Sequence, residues 1–243
     1  MSTVAISTNP LSSSESSKWD NAAHYEKDTR QISQVRMIKV TGSADVVFFR
    51  SQTPMMVVAG ETKEALKAVT TRIDGDTLYI DRPGLNITVG GGVHIQVNGH
   101  GNRVSGGDFF AGMSTSGTIS TGKVIVGIAL PFAPDVTVSG AADITLYNIA
   151  QESLELKVSG AGDIEVFGTV EHLTAKVSGA GDIKARHLTA NTADIQISGA
   201  GDIKATVTAE VKARISGCGD AVIRGNPERR DTKVSGVGKI KFK

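Results

Sequence analysis

Cysteine is almost absent. Cys218 stands alone among 243 residues, so the chain can close no internal disulfide and build no cysteine-based metal cluster. It replaces an alanine in one copy of a repeat, which reads as an inert small residue of a core or turn. Aromatic residues are scarce at 5%, so a core must be filled by Val, Ile, Leu and Ala. No apolar run is long enough to span a membrane as a helix; the longest, Val124–Ala133, contains Pro131. Met1–Asp20 lacks the basic head and apolar stretch of a secretory signal, and synthesis in the cytoplasm without Sec export is the expectation. Net charge is +1, which removes a global case for nucleic acid or anionic membrane. The histidines His24, His94, His100, His172 and His187 are scattered, without metal-ligand spacing. There is no GxSxG elbow and no P-loop, and Gly90-Gly91-Gly92 and Gly99-His100-Gly101 lack a following helix pattern. No cofactor is expected.

What the chain has is a repeat. The phrase Val-Ser-Gly-Ala-Gly-Asp-Ile, with small variations, occupies Val138–Ile144, Val158–Ile164, Val177–Ile183, Ile197–Ile203, Ile215–Ala221 and Val234–Ile240, at spacings of 20, 19, 20, 18 and 19 residues. A fixed short period marks a solenoid, in which each repeat is one coil and neighbouring coils bury each other's apolar faces. Two residues before the phrase stand Val136, Leu156, Ala175, Ile195, Ala213 and Thr232. Its last position reads Ile144, Ile164, Ile183, Ile203, Ala221 and Ile240, and two residues later come Leu146, Val166, Ala185, Ala205, Ile223 and Phe242. The position between these last two is mostly polar: Thr145, Glu165, Lys184, Lys204, Val222, Lys241. Period-2 alternation on both sides of a glycine turn predicts one strand into the turn and one out of it, stacked in parallel on the next coil at about 4.8 Å. The fold class is all-β, a parallel β-solenoid with coils of about 19–20 residues.

The glycines suit turn positions of positive φ. Asp143, Asp163, Asp182, Asp202 and Asp220 would stack on one corner. Such carboxylates could hold calcium, although known calcium-binding rolls use a nonapeptide repeat; alternatively each caps its own turn by accepting backbone N–H groups. The last copy has Lys239 in place of Asp, and the terminal lysines discourage end-to-end pairing of the open coil. Residues 203–243 carry 10 Lys/Arg against 4 Asp/Glu, so a polyanion site is a second reading of this end.

Residues 1–34 are serine-rich and polar and read as an arm that does not fold alone, with Trp19 and Tyr25 as natural anchors on a partner. Residues 35–134 form the first part of the solenoid. Val40–Asp45 is an early copy of the phrase. Strands are expected at 55–59, 69–73, 77–81, 86–89 and 93–97, with a short helix over 61–68. A Gly/Ser-rich loop covers 98–122, and its Phe109 and Phe110 suit partner contact or a cap on the core. Residues 135–243 are the regular repeats.

The repeated phrase, the ending Val234–Lys241 and the opening segment 38–48 resemble the DUF2807 family, described as a putative auto-transporter adhesin head domain. The resemblance covers about residues 35–243 and implies a right-handed parallel β-helix-like fold with no established catalysis. Family members resemble exported envelope proteins, and this chain departs from them in lacking an export signal. The residues together point to a non-enzymatic structural or attachment protein, a rigid solenoid displayed at a virion or cell surface. The first expectation is a component of a larger assembly such as a bacteriophage virion. There it would contact other subunits through the arm and the 98–122 loop, with homo-oligomers such as trimers fitting that role. The alternative is a bacterial cell-envelope adhesin-like module. A second alternative is a polysaccharide-acting β-helix enzyme, which would need paired carboxylates beside a sugar groove.

Overall fold

The computed structural model describes residues 19–83, 85–89, 93–97 and 122–243, the two short middle segments as backbone only. A 3-10 turn at Asp20–Ala22 leads into β1 (Glu26–Arg30), β2 (Met37–Gly42), β3 (Asp45–Arg50), β4 (Met55–Gly60) and the helix α1 (Lys63–Lys67). Next come β5 (Thr70–Asp74), β6 (Thr77–Arg82), β7 (Leu85–Val89), β8 (Val93–Val97), β9 (Val124–Leu130) and β10 (Asp135–Val138). The long strands β11 (Ile144–Val158), β12 (Ile164–Val177), β13 (Ile183–Ile197) and β14 (Ile203–Ile215) follow. The chain ends with β15 (Ala221–Arg224), β16 (Arg229–Val234) and β17 (Ile240–Phe242).

These strands make two faces of one parallel solenoid. The first face runs β5-β6-β2-β10, then the later halves of β11 to β14, then β16; the second runs β1-β4-β9-β3, then the earlier halves of β11 to β14, then β15 and β17. The apolar columns of the sequence are the registers of these pairings. Leu78, Ile38, Val136, Leu156, Ala175, Ile195 and Ala213 succeed one another on the first face. Val126, Val46, Ile144, Ile164, Ile183, Ile203 and Ala221 do so on the second. All are buried in a single core. Each fully buried Val, Ile or Leu contributes about 1.5–3 kcal/mol, and each is covered only because a coil lies on either side.

Order in space differs from order in the chain at the start. β6 and β9 form the first coil, ahead of β2 and β3, so residues 81–125 stand where the next coil has only Thr41–Asp45. The antiparallel pair β7–β8 belongs to this insertion. Beyond the first coil, β5 and β4 add antiparallel edges, joined across the end by α1. Thr62 caps α1 by accepting the Ala65 N–H, and Ala65 and Leu66 close the core.

Two expectations need correction. The segment 1–34, expected to be an arm, already contains part of the sheet: β1 pairs antiparallel with β4, from Glu26 against Gly60 to Arg30 against Met56. Its sequence, Glu-Lys-Asp-Thr-Arg, is polar because both sides of this edge strand are largely exposed. Apart from Gly42 in the early copy, the repeat glycines are also not positive-φ residues; the other glycines in that conformation are Gly75, Gly122, Gly168 and Gly225. The repeat positions are glycine because coils touch there. A methyl group on Gly179 would lie 2.0 Å from the carbonyl oxygen of Gly160. Cys218 occupies the exposed corner position of Ala161, Ala180 and Ala200.

Gly179→Ala should therefore force two coils apart and cost about 3 kcal/mol. Gly75→Ala, at φ +60 with nothing within 4 Å, should cost about 1 kcal/mol. Urea denaturation followed by far-UV circular dichroism compares the two; equal losses would show that crowding is not why the corner is glycine.

Candidate functional site: the solenoid exterior

The corner that carries the aspartates is a hydrogen-bonded ladder. Each Oδ1 accepts the backbone N–H of the equivalent residue one coil on. Asp45 takes that of Asp143 at 3.0 Å, Asp143 that of Asp163 at 3.2 Å, and Asp163 that of Asp182 at 2.8 Å. Asp182 takes that of Asp202, Asp202 that of Asp220 and Asp220 that of Lys239, each at 2.8 Å. The carboxylates thus cap the neighbouring turn and not their own. Asp45, outside the sequence-derived set, is the first member.

In two places the outer oxygen meets a lysine of the next coil, two residues past the one whose N–H the same carboxylate accepts. Lys184 Nζ donates to Asp163 Oδ2 at 2.6 Å and Lys241 Nζ to Asp220 Oδ2 at 2.7 Å. The Lys241 hydrogen bond, with the Lys239 N–H, holds the Asp220 carboxyl below its ordinary pKa. Hydrogen bonding to Asp163 raises the pKa of Lys184. At the other end the buried Arg82 guanidinium donates to Gly122 O at 2.6 Å, tying the neck of the insertion. Burial pushes its pKa down, and the nearby Asp45 charge opposes that. Among the described residues no three His, Cys, Asp or Glu side chains are grouped to hold a metal.

On the outside of the second face, rings stack from coil to coil. Phe49 and Tyr147 are 5.3 Å apart, Tyr147 and Phe167 5.1 Å, and Phe167 and His187 5.3 Å, all within 17° of parallel. Trp19 and Tyr25 pack here, with Ala22, against Val47, Ala59, Ile125 and Tyr147. Burial, and then the Glu61 and Asp45 charges, raise the Tyr25 pKa. Both proposed anchors therefore grip their own solenoid. Phe109 and Phe110 lie outside the described residues. His172 is exposed and hydrogen-bonds Thr192 through Nδ1 at 2.7 Å.

The first face carries a shallow concavity of about 360 Å³, lined by Lys157, Lys176, Gln196 and Arg214 and by corner serines including Ser159 and Ser178. Its cations are paired: Lys157 and Lys176 both with Glu155, Arg214 with Asp231.

A family model described as "Putative auto-transporter adhesin, head GIN domain" matches residues 36–227. The chain belongs to the DUF2807 family. The match begins just before β2 and ends just after β15, so it covers the solenoid apart from β1 and the last coil of β16 and β17. A crystal structure from Bacteroides fragilis, titled a "putative adhesin", shares the fold at a TM-score of 0.61 with 16% identity, over 90% of this chain and 96% of that one. A "putative lipid binding protein" from Parabacteroides distasonis aligns at a TM-score of 0.47 and 19% identity, over 90% and 96%. No curated protein matches the chain in sequence.

In this DUF2807 ladder, Asp182→Ala should remove the acceptor of the Asp202 N–H and cost about 1–3 kcal/mol. Asp182→Asn keeps an acceptor oxygen and should stay within about 0.5 kcal/mol of wild type. Thermal melts check both, and the wild-type melt should not move between calcium and chelator; a shift of several degrees would give the ladder to calcium. A second variant probes the amino-terminal clasp. A methyl group on Gly127 would lie 2.6 Å from the Trp19 ring, so Gly127→Ala should displace the ring. Emission from this single tryptophan should move to the red while the solenoid melts as before; unchanged emission would place Trp19 elsewhere.

Proposed function

We propose that the protein is a non-enzymatic, adhesin-like attachment module working at a cell surface. The observation that carries this is the family match, which spans most of the solenoid and describes an adhesin head. The geometry is consistent with it: the recurring carboxylates, the residues most suggestive of chemistry, are engaged in holding coil to coil. Among the described residues no helix is long and apolar enough to cross a membrane. A virion role draws on an arm reaching for a neighbouring subunit. Trp19, Tyr25 and β1 are instead engaged within the chain, so that ground is weakened and the envelope reading stands ahead of it. Phe109 and Phe110 remain proposed contact residues on sequence grounds.

Antibody against the solenoid should label unpermeabilised cells of the source organism, and deletion of the gene should reduce their attachment to surfaces. Labelling only after permeabilisation, with attachment unchanged, would overturn the proposal. Turnover of an acidic polysaccharide by the purified protein would return it to enzymes.

A further inference from the structure

The exterior of the second face changes character halfway along the stack. After the buried residues Phe48, Leu146 and Val166 come the aromatic Phe49, Tyr147 and Phe167. After Ala185, Ala205, Ile223 and Phe242 come Arg186, Thr206, Arg224 and Lys243. The amino-terminal clasp packs on the aromatic half. The other half is basic, and Arg186 and Arg224 are exposed.

Arg186, Lys204, Arg224 and Lys243 line one concavity of about 190 Å³, together with Ala205 and Val222 and no acidic residue. Lys204 shares a column with Lys184 and Lys241, which reach back to an aspartate of the preceding coil. Lys204 makes no such bond and lines the concavity. None of the four cations is paired with a carboxylate among the described residues, in contrast to the cations of the first face. Four unpaired positive charges around one hollow repel each other, and the arrangement is relieved by an anion.

The four residues come from successive coils, so they are spread along about 14 Å of the stack. One small anion cannot reach them all, whereas two or more linked groups can. Guanidinium forks suit the oxygens of phosphate in particular, and a row of phosphates, each with at least one negative charge, matches a row of cations. We propose that this hollow binds a ligand carrying two or more phosphate groups. The inference supplies a ligand class for the attachment module and so rests on that reading.

The test uses the purified full chain, separately from any cell assay. Sodium tripolyphosphate is titrated calorimetrically, and sedimentation is measured with phosphatidylcholine vesicles with and without phosphatidylglycerol. Binding to at least one phosphate probe is expected, weakening as salt rises. Arg186→Ala/Arg224→Ala should weaken it at least tenfold, and Lys157→Ala/Lys176→Ala on the other face should leave it unchanged. Binding of tripolyphosphate points to a soluble or polymeric phosphate, and binding of phosphatidylglycerol vesicles alone to a lipid headgroup array. Should the arginine variant melt early, Arg186→Gln/Arg224→Gln, which keeps longer stems on the sheet, decides. No binding to either probe, or equal loss in the two double variants, overturns the site whether or not cells attach. Binding by the purified chain, with cell attachment unchanged on deletion of the gene, would instead remove the adhesin role and keep the site.

Discussion

Everything in this molecule hangs on how closely the corner of one coil rests on the corner of the next. Ala161 donates its N–H to Gly140 O, Ala180 to Gly160 O and Ala200 to Gly179 O, each at 2.9 Å. At that separation there is no room for a side chain on the intervening glycine. The corner sets the coil spacing, and the spacing lets Val, Ile and Leu columns touch their own kind without voids. A looser corner would open the core from one edge and forfeit the dispersion contacts that close packing gives. The aspartate ladder works at the same place, taking up an N–H in each turn that parallel pairing alone leaves over.

A ladder that passes each bond to the next coil must begin and end somewhere. Here both ends meet cations. Asp45 sits near the buried Arg82, and Asp220 receives Lys239 N–H and Lys241 Nζ. Lys239 stands where the other copies have aspartate: its backbone gives the N–H that Asp220 accepts, and its side chain accepts none from the described residues. The two ends of the core differ more. α1 covers the first coil, while the last leaves Val234 of the apolar column 43% exposed and half-covers Ile240 and Phe242. Lysines at 233, 239, 241 and 243 surround that open end, which disfavours addition of another strand.

The regular coils were legible in the sequence because burial there follows a rule of period two repeated at a fixed interval. Val138 predicts Val158, and Val158 predicts Val177. The rest follows no repeated rule. β1 is five polar residues whose place is set by the open edge of β4, a property of the folded sheet and not of residues 26–30. Nothing in β2 or β6 says that β6 stacks ahead of it, since that order depends on β9 arriving from beyond the insertion. The aspartates were recognised as a stack, yet their partners lie on the next coil, at a distance that only register fixes. The aromatic stack was missed for a different reason. Phe49, Tyr147 and Phe167 occupy equivalent positions, but the column breaks at Arg186, and His187 takes the next stacking place through a register shift.

That same break is what gives the second face two halves. The outward column is free of the core's packing rules, so its residues answer to whatever lies outside the coil. Where it is aromatic, the chain supplies its own cover in Trp19 and Tyr25. Where it turns to Arg186, Arg224 and Lys243, no segment of the described chain packs over it, and beside these coils the neighbouring column reads Lys184, Lys204, Val222 and Lys241. A parallel stack holds such groups at fixed intervals on a backbone that cannot easily shift. Little order is then lost when a ligand with regularly spaced charges is bound, which favours binding. The corner that makes the coils rigid is therefore also what makes an outward column of charges readable as a site.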